Sequence, residues 1–152
     1  ANDPEWKAAA KASEANGPLV QKVDQVFMVL ADGLNQRKQL ASSGVFQFRT
    51  YHLFPGKLDA IQNRFRDHTQ VLFENQGLVN YPYWLTVEKD GSQAKLVYLI
   101  GHTTKEEYNA AFDRFRLDPA WIQVRDASEA NGKIVDKIDA VFFTPLPFSP
   151  MK

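Results

Sequence analysis

The chain has 152 residues, of which 44% are hydrophobic and 12% aromatic, enough to pack one ordinary domain with a segment to spare. Eighteen Lys and Arg offset eighteen Asp and Glu without any basic run, so the broad positive field that gathers nucleic acid or anionic lipid is missing. The absence of cysteine excludes a disulfide framework, a thiolate metal site and a Cys nucleophile, and no apolar run approaches the roughly 18 residues of a membrane span. The composition is that of a soluble protein with neither a nucleic-acid partner nor a membrane-inserted segment; a cytoplasmic setting is favoured, and an export signal upstream of Ala1 stays an open possibility.

The first feature along the chain is a repeat. Asp3-Pro4-Glu5-Trp6 recurs as Asp118-Pro119-Ala120-Trp121, and Ala12-Ser13-Glu14-Ala15-Asn16-Gly17 recurs unchanged as residues 127–132, at a constant offset of 115. The match continues through Val20 and Val135, Lys22 and Lys137, Asp24 and Asp139, Val26 and Val141, and Phe27 and Phe142. Each copy reads as an Asp N-cap, a Pro at the first helical position, an Ala-rich helix, an Asn-Gly stop and a strand. Residues 1–31 are therefore expected to be the last helix and strand of an earlier copy, with a helix from Pro4 to Asn16 and a strand from Val23 to Leu30. Such a remnant cannot bury its own apolar face, so Trp6, Val20, Val23, Val26 and Phe27 should pack elsewhere, the strand adding to a sheet in the place of a fourth strand, and the natural product should be a tandem protein. Residues 32–44 are polar and aperiodic and read as a linker.

From Val45 the chain reads β-α-β-β-α-β. The aromatic and β-branched stretch Val45-Phe46-Gln47-Phe48-Arg49-Thr50-Tyr51 is a strand that runs through Pro55-Gly56 into a helix with the stripe Leu58, Ile61, Phe65, His68 and Leu72, ended by Gly77. Residues 78–87 form a second strand, placed at an edge or a bulge by Pro82. Asp90-Gly91 supplies a turn into the central strand Ala94 to His102. Thr104 and Glu107 cap a second helix with the stripe Tyr108, Ala111, Phe112 and Phe115; Asp118-Pro119 restarts the helix, and Ile138 to Thr144 is the last strand before Pro145, Pro147 and Pro150. The fold class is α+β, in the ferredoxin-like arrangement.

These residues carry a resemblance. Arg49-Thr50-Tyr51 with Pro55-Gly56-Lys57, the Asp118-Pro119-Ala120-Trp121 restart and the terminal Phe148-Ser149-Pro150 make residues 45–152 similar to the NIPSNAP family. The resemblance implies a ferredoxin-like domain that pairs through its sheet face into a dimeric α+β barrel, a homo-oligomer belonging to a superfamily that also holds small oxygenases and isomerases. It departs from the family at Tyr98, where a His is usual, and at His102, where an aromatic is usual.

The candidate ligand-pocket residues are Arg49, Tyr51, His68 and Tyr98. Arg49 alternates with Gln47 and Tyr51 on one face of the first strand, opposite Phe46 and Phe48. Inside a barrel that polar face would be covered, and a covered guanidinium needs partners: a structural hydrogen-bond network, or a clamp for an anionic or carbonyl-bearing ligand with Tyr51 and Tyr98 as hydroxyl donors. His68, on an apolar stripe, should point between helix and sheet. His52 and His102 lie at opposite ends of antiparallel neighbours and cannot share a metal, so no metal or other cofactor is expected. No serine-hydrolase, phosphate-loop, dinucleotide or zincin motif is present. The first functional reading is a binding or interaction module, with a small hydrophobic ligand as a possible partner. The alternative is a cofactor-independent oxygenase or isomerase acting on a hydrophobic carbonyl or phenolic compound, with Arg49, His68 and a tyrosine; a core filled by Phe48, Phe65 and Phe112 would favour the module.

Overall fold

A computed structural model describes residues 2–35 and 43–150. The elements in chain order are α1 (Pro4–Ser13), β1 (Met28–Leu30), β2 (Val45–Leu53), α2 (Leu58–Arg64), a π-helical turn (Phe65–Thr69), α3 (Gln70–Asn75), β3 (Val79–Thr86), β4 (Leu96–His102), α4 (Lys105–Leu117), α5 (Pro119–Ser128) and β5 (Val135–Phe143). The strands form one antiparallel sheet in the order β1-β3-β4-β2-β5. Strands β2 to β5 have the ferredoxin-like order expected of an α+β chain, and β1 is a fifth strand added beyond β3.

Local chemistry sets most of the boundaries as the sequence suggests. Asp118 accepts the Ala120 amide at 2.9 Å and Pro119 opens α5, while the Thr104 hydroxyl accepts the Glu107 amide at 3.2 Å and opens α4. Gly77, at φ +84°, ends α3 in a conformation that a β-carbon would strain. Pro82 falls where the β3–β4 register shifts, between Asn80 and Tyr83. This is a bulge, and the strand lies one in from the edge where β1 covers Trp84 to Thr86.

Two expectations about faces are reversed. In β2 it is Val45, Gln47, Arg49 and Tyr51 that face the helices, whereas Phe46 and Phe48 face away with Tyr81, Leu99 and Trp84. The core between sheet and helices is therefore built on Phe65, Phe73, Tyr83, Tyr98, Tyr108 and Phe115 with Ile61 and Ile100, and Phe48 takes no part in it. Alternation alone did not identify the inner face, because Gln47 and Arg49 make it the more polar of the two while Phe46 and Phe48 lie on the other.

His68 is the second reversal. The hydrogen-bonded ring of the π turn holds one residue more than an α turn, so the helix surface rotates by about 100° relative to a regular continuation. Phe65, Thr69, Gln70 and Phe73 are turned inward, and His68 stands exposed.

The expected linker is seated at both described ends; residues 36–42 lie outside the described residues. Ala31 and Leu34 are buried, and Asn35 uses its side-chain amide as a strand would use its backbone, donating to the Tyr83 carbonyl at 2.9 Å and accepting the Tyr83 amide at 2.8 Å. Ser43, expected to be mere linker chemistry, is buried and accepts the Tyr81 hydroxyl at 3.0 Å. It lies so close to Gly101 that a β-carbon there would sit 2.2 Å from the Ser43 hydroxyl oxygen.

The N-terminal segment departs furthest from expectation. α1 forms with no buried residue, and of the expected strand only Met28 to Leu30 pairs, against Trp84 to Thr86. Trp6 and Phe27 are 62% and 57% exposed, so the expected packing of the remnant does not occur within this chain. The physical reason is that β5, its repeat equivalent, is held by the whole length of β2, and residues 20–27 have no such neighbour.

Candidate functional site

Register brings three of the four candidate residues together. Arg49 stands opposite Tyr98 across the β2–β4 ladder, with Gln47 and Tyr51 two residues to either side on the same face. From above, α4 lowers Tyr108 and Phe112 one turn apart onto that row. The Arg49 Nε donates to the Tyr98 hydroxyl at 3.0 Å and its Nη1 to the Gln47 Oε1, which also receives the Tyr108 hydroxyl at 2.6 Å. The Tyr98 hydroxyl donates in turn to the Tyr51 hydroxyl at 2.8 Å. The guanidinium carbon lies 4.7 Å from the centre of the Phe112 ring.

Every one of these acceptors is neutral. Among the described residues no carboxylate pairs with Arg49, which is only 9% exposed. Burial pulls its pKa down, but the surrounding phenols of Tyr98, Tyr51 and Tyr108 outweigh this, and the guanidinium stays charged. Burial raises the Tyr98 phenol well above its ordinary range and pushes Tyr108 up to about 12, against the opposing pull of Arg49. At neutral pH the cluster thus holds protonated phenols around one positive charge. Such a charge in a low-dielectric core is costly unless something negative or strongly dipolar meets it. The groups that would match such a charge are a carboxylate, a phenolate or a polarised carbonyl.

The other histidines lie elsewhere. His68 lines a groove of about 550 Å³ with Ala60, Asn63, Arg64, Gln123 and Ser128, between α2 and α5 and outside the Arg49 cluster. His52 is paired with Asp139 at 2.7 Å, and His102 lies 3.5 Å from Glu107 at the opposite end of the ladder, so each has a carboxylate beside it and the two stand apart. Among the described residues no His, Asp and Glu grouping could hold a metal ion.

Sequence reasoning missed Arg64. It is buried, donates to Ser128 at 3.2 Å and to Glu129 at 3.1 Å, and lies over the Trp121 ring at 5.3 Å. Its spacing from Ile61 was the available signal. Tyr108 and Gln47, read only as stripe and alternation residues, complete the Arg49 network.

A family model described as NIPSNAP matches residues 46–150. The chain belongs to the NIPSNAP family. Its fold is shared with a NIPSNAP domain protein of Burkholderia xenovorans, which is 18% identical with a TM-score of 0.57 over 70% of this chain and 98% of that one. A NIPSNAP family protein of unknown function from Agrobacterium tumefaciens is 16% identical with a TM-score of 0.60 over 75% of this chain and 98% of its own. Another from the same organism is 14% identical, with a TM-score of 0.59 over 71% and 98%. No curated protein matches the chain. At these identities the likeness is one of fold, and the NIPSNAP match begins beyond β1, leaving α1 and β1 outside it.

Proposed function

We propose that this NIPSNAP protein is a binding module for a small apolar molecule bearing a carboxylate, phenolate or carbonyl, held at Arg49 with Tyr51 and Tyr98 beside it. The observation that carries the reading is a buried guanidinium whose described partners are all neutral oxygens and the aromatic faces of Phe112 and Tyr51. The Tyr51 hydroxyl, at the end of the relay from Tyr98, supplies a donor to the same ligand group. The enzyme alternative is less supported, because the imidazole it relied on, His68, is exposed and lies outside this cluster.

The same reading includes assembly. Among the described residues no helix lies over the sheet face bearing Phe46, Phe48, Leu99, Trp84, Val141 and Phe143, and this face is proposed to pair with a second sheet as a homodimeric barrel. Residues 1–31 are proposed to be the tail of a preceding tandem copy, since α1 and α5 begin and end at positions exactly one repeat apart.

The test uses benzoate as probe. Titration followed by amide NMR is expected to perturb residues of β2, β4 and α4, and the perturbation should disappear in Arg49→Met. Shifts confined to the His68 groove, or shifts unchanged in Arg49→Met, would overturn the ligand reading.

A further inference from the structure

Comparing the repeat copies position by position separates two kinds of residue. Leu19 is 69% exposed and its equivalent Ile134 is fully buried. Trp6 is open to solvent, while Trp121 lies 4.5 Å from the Phe115 ring and under Arg64. Phe27 is open, while Phe142 packs edge-on against Tyr108 at 5.0 Å. By contrast Val26 and Val141, both on the outward face of the pattern, are equally exposed, at 66% and 63%. The arm therefore lacks burial at the positions where β5 and α5 have it, and matches them where they do not.

The polar anchors are retained too. In the second copy Lys57 donates to the Asn131 carbonyl at 2.9 Å, Arg64 reaches Ser128 and Glu129, and Gln76 donates to Asp118 at 3.2 Å. Their repeat equivalents Asn16, Ser13, Glu14 and Asp3 are the same residues. Both the apolar and the polar halves of an interface are thus conserved within one chain between a seated and an unseated segment.

We infer that residues 3–28 are an unseated last helix and strand, and that their partner is a second β-α-β-β-α unit of this fold whose own last helix and strand are missing. This deepens the tandem reading and rests on it. An intact copy of this chain cannot be the partner without loss, because its seat is already filled by α5 and β5, and exchanging one for the other exposes as much as it buries. The partner must offer an unpaired strand edge like that of β2, a turn lysine like Lys57, and a helix arginine like Arg64. Met28 to Leu30 would then tie the partner's sheet to β3, as they already pair there.

Two experiments on full-length chains test this. In the first, residues 118–143 are replaced by the sequence of residues 3–28, or more conservatively residues 133–143 by residues 18–28. Each exchange is expected to keep one cooperative transition, with the melting temperature within roughly 10 °C of the parent. Loss of folding in both would overturn the claim that the arm fits such a seat. In the second, Ile134→Asp unseats the native strand in one chain, and a differently tagged parent chain is co-expressed with it, both chains also carrying Val141→Asp so that pairing through the open sheet face cannot contribute. The Ile134→Asp chain should be recovered as a 1:1 complex, and Leu19→Asp in both chains should abolish recovery while Val26→Thr in both leaves it intact. Absence of a complex, or one indifferent to Leu19→Asp, would overturn the partner. A gene with no preceding copy would instead overturn the tandem reading and leave both of these results standing.

Discussion

At the scale of the residue, Arg49 sets competing costs against each other. Removing its charge relieves desolvation, but Arg49→Ala leaves a void beside Phe112 and strips donors from Tyr98 and Gln47 in a site with little water. The void and the lost charged hydrogen bonds outweigh the relief, so Arg49→Ala is expected to destabilise by about 2 kcal/mol or more, as read from denaturant midpoints. Arg49→Lys keeps the charge and part of the stem but cannot fork to two acceptors, and should lose less. An unmoved midpoint in Arg49→Ala would mean that the guanidinium is solvated. The phenols make a second expectation, at alkaline pH. Tyr98 and Tyr108 ionise later in the folded chain than in the unfolded one, so above pH 10 the unfolded state holds fewer protons and stability falls as pH rises, for Tyr108 up to about pH 12. Stability from this source is complete below pH 10, and the slope is about 1.4 kcal/mol per pH unit for each such phenol. Tyr108→Phe should flatten the alkaline limb of a midpoint-against-pH plot; an identical limb would show that Tyr108 does not contribute to it.

At the scale of the element, the sequence was legible wherever one residue fixes one local conformation, and illegible where a neighbour decides. Asp118-Pro119 and Thr104 opened their helices because a cap needs only the next few amides. The side of β2 that faces the helices could not be read, since Phe46 and Phe48 alternate with Val45 and Tyr51 and both sets are apolar enough to be buried. Three of the four candidate residues came together because they share strand register, and the fourth was lost to a single inserted residue in a helix. That insertion has its own testable consequence. The buried residues Ile61, Phe65, Thr69 and Phe73 are spaced by four throughout; taking out exposed Asp67 turns this into the 4-3-4 spacing of a regular α-helix and leaves the same side chains inward. Deleting Asp67 is therefore expected to cost no more than about 1 kcal/mol, chiefly the Thr69 hydroxyl bond to the Arg64 carbonyl. Deleting Arg114 from the regular helix α4 would rotate Phe115 out of the core and cost several times as much. Equal losses from the two deletions would show that the π turn is not a spare residue.

At the scale of the whole molecule, the decisive quantity is the open sheet face. Strands about 4.8 Å apart and roughly eight residues long make a five-stranded face of about 600 Å², at the upper end of what monomers leave apolar and close to one side of a standard interface. Part of that face is already closed by the chain itself: Phe46 is fully buried beneath Tyr81 and against Phe143, at ring distances of 4.9 and 5.5 Å. Val141 and Phe143 at one side and Leu30 at the other are not closed. A second sheet laid on this face would cover all three at once, whereas a small ligand would not reach across it. With equal numbers of acidic and basic residues there is no net charge to oppose the pairing, so its driving force is apolar and only weakly sensitive to salt. Sedimentation velocity at micromolar concentration is accordingly expected to give a dimer at both 0.1 and 1 M NaCl. Val141→Asp, which places a charge on the open apolar part of that face, should convert it to monomer without lowering the monomer's own melting temperature, because Val141 is exposed in the isolated chain. Leu19→Asp, in the arm and away from the face, should leave the dimer intact. A parent chain that sediments as a monomer would refute assembly through this face, and a dimer abolished by Leu19→Asp but not by Val141→Asp would move the contact from the sheet to the arm.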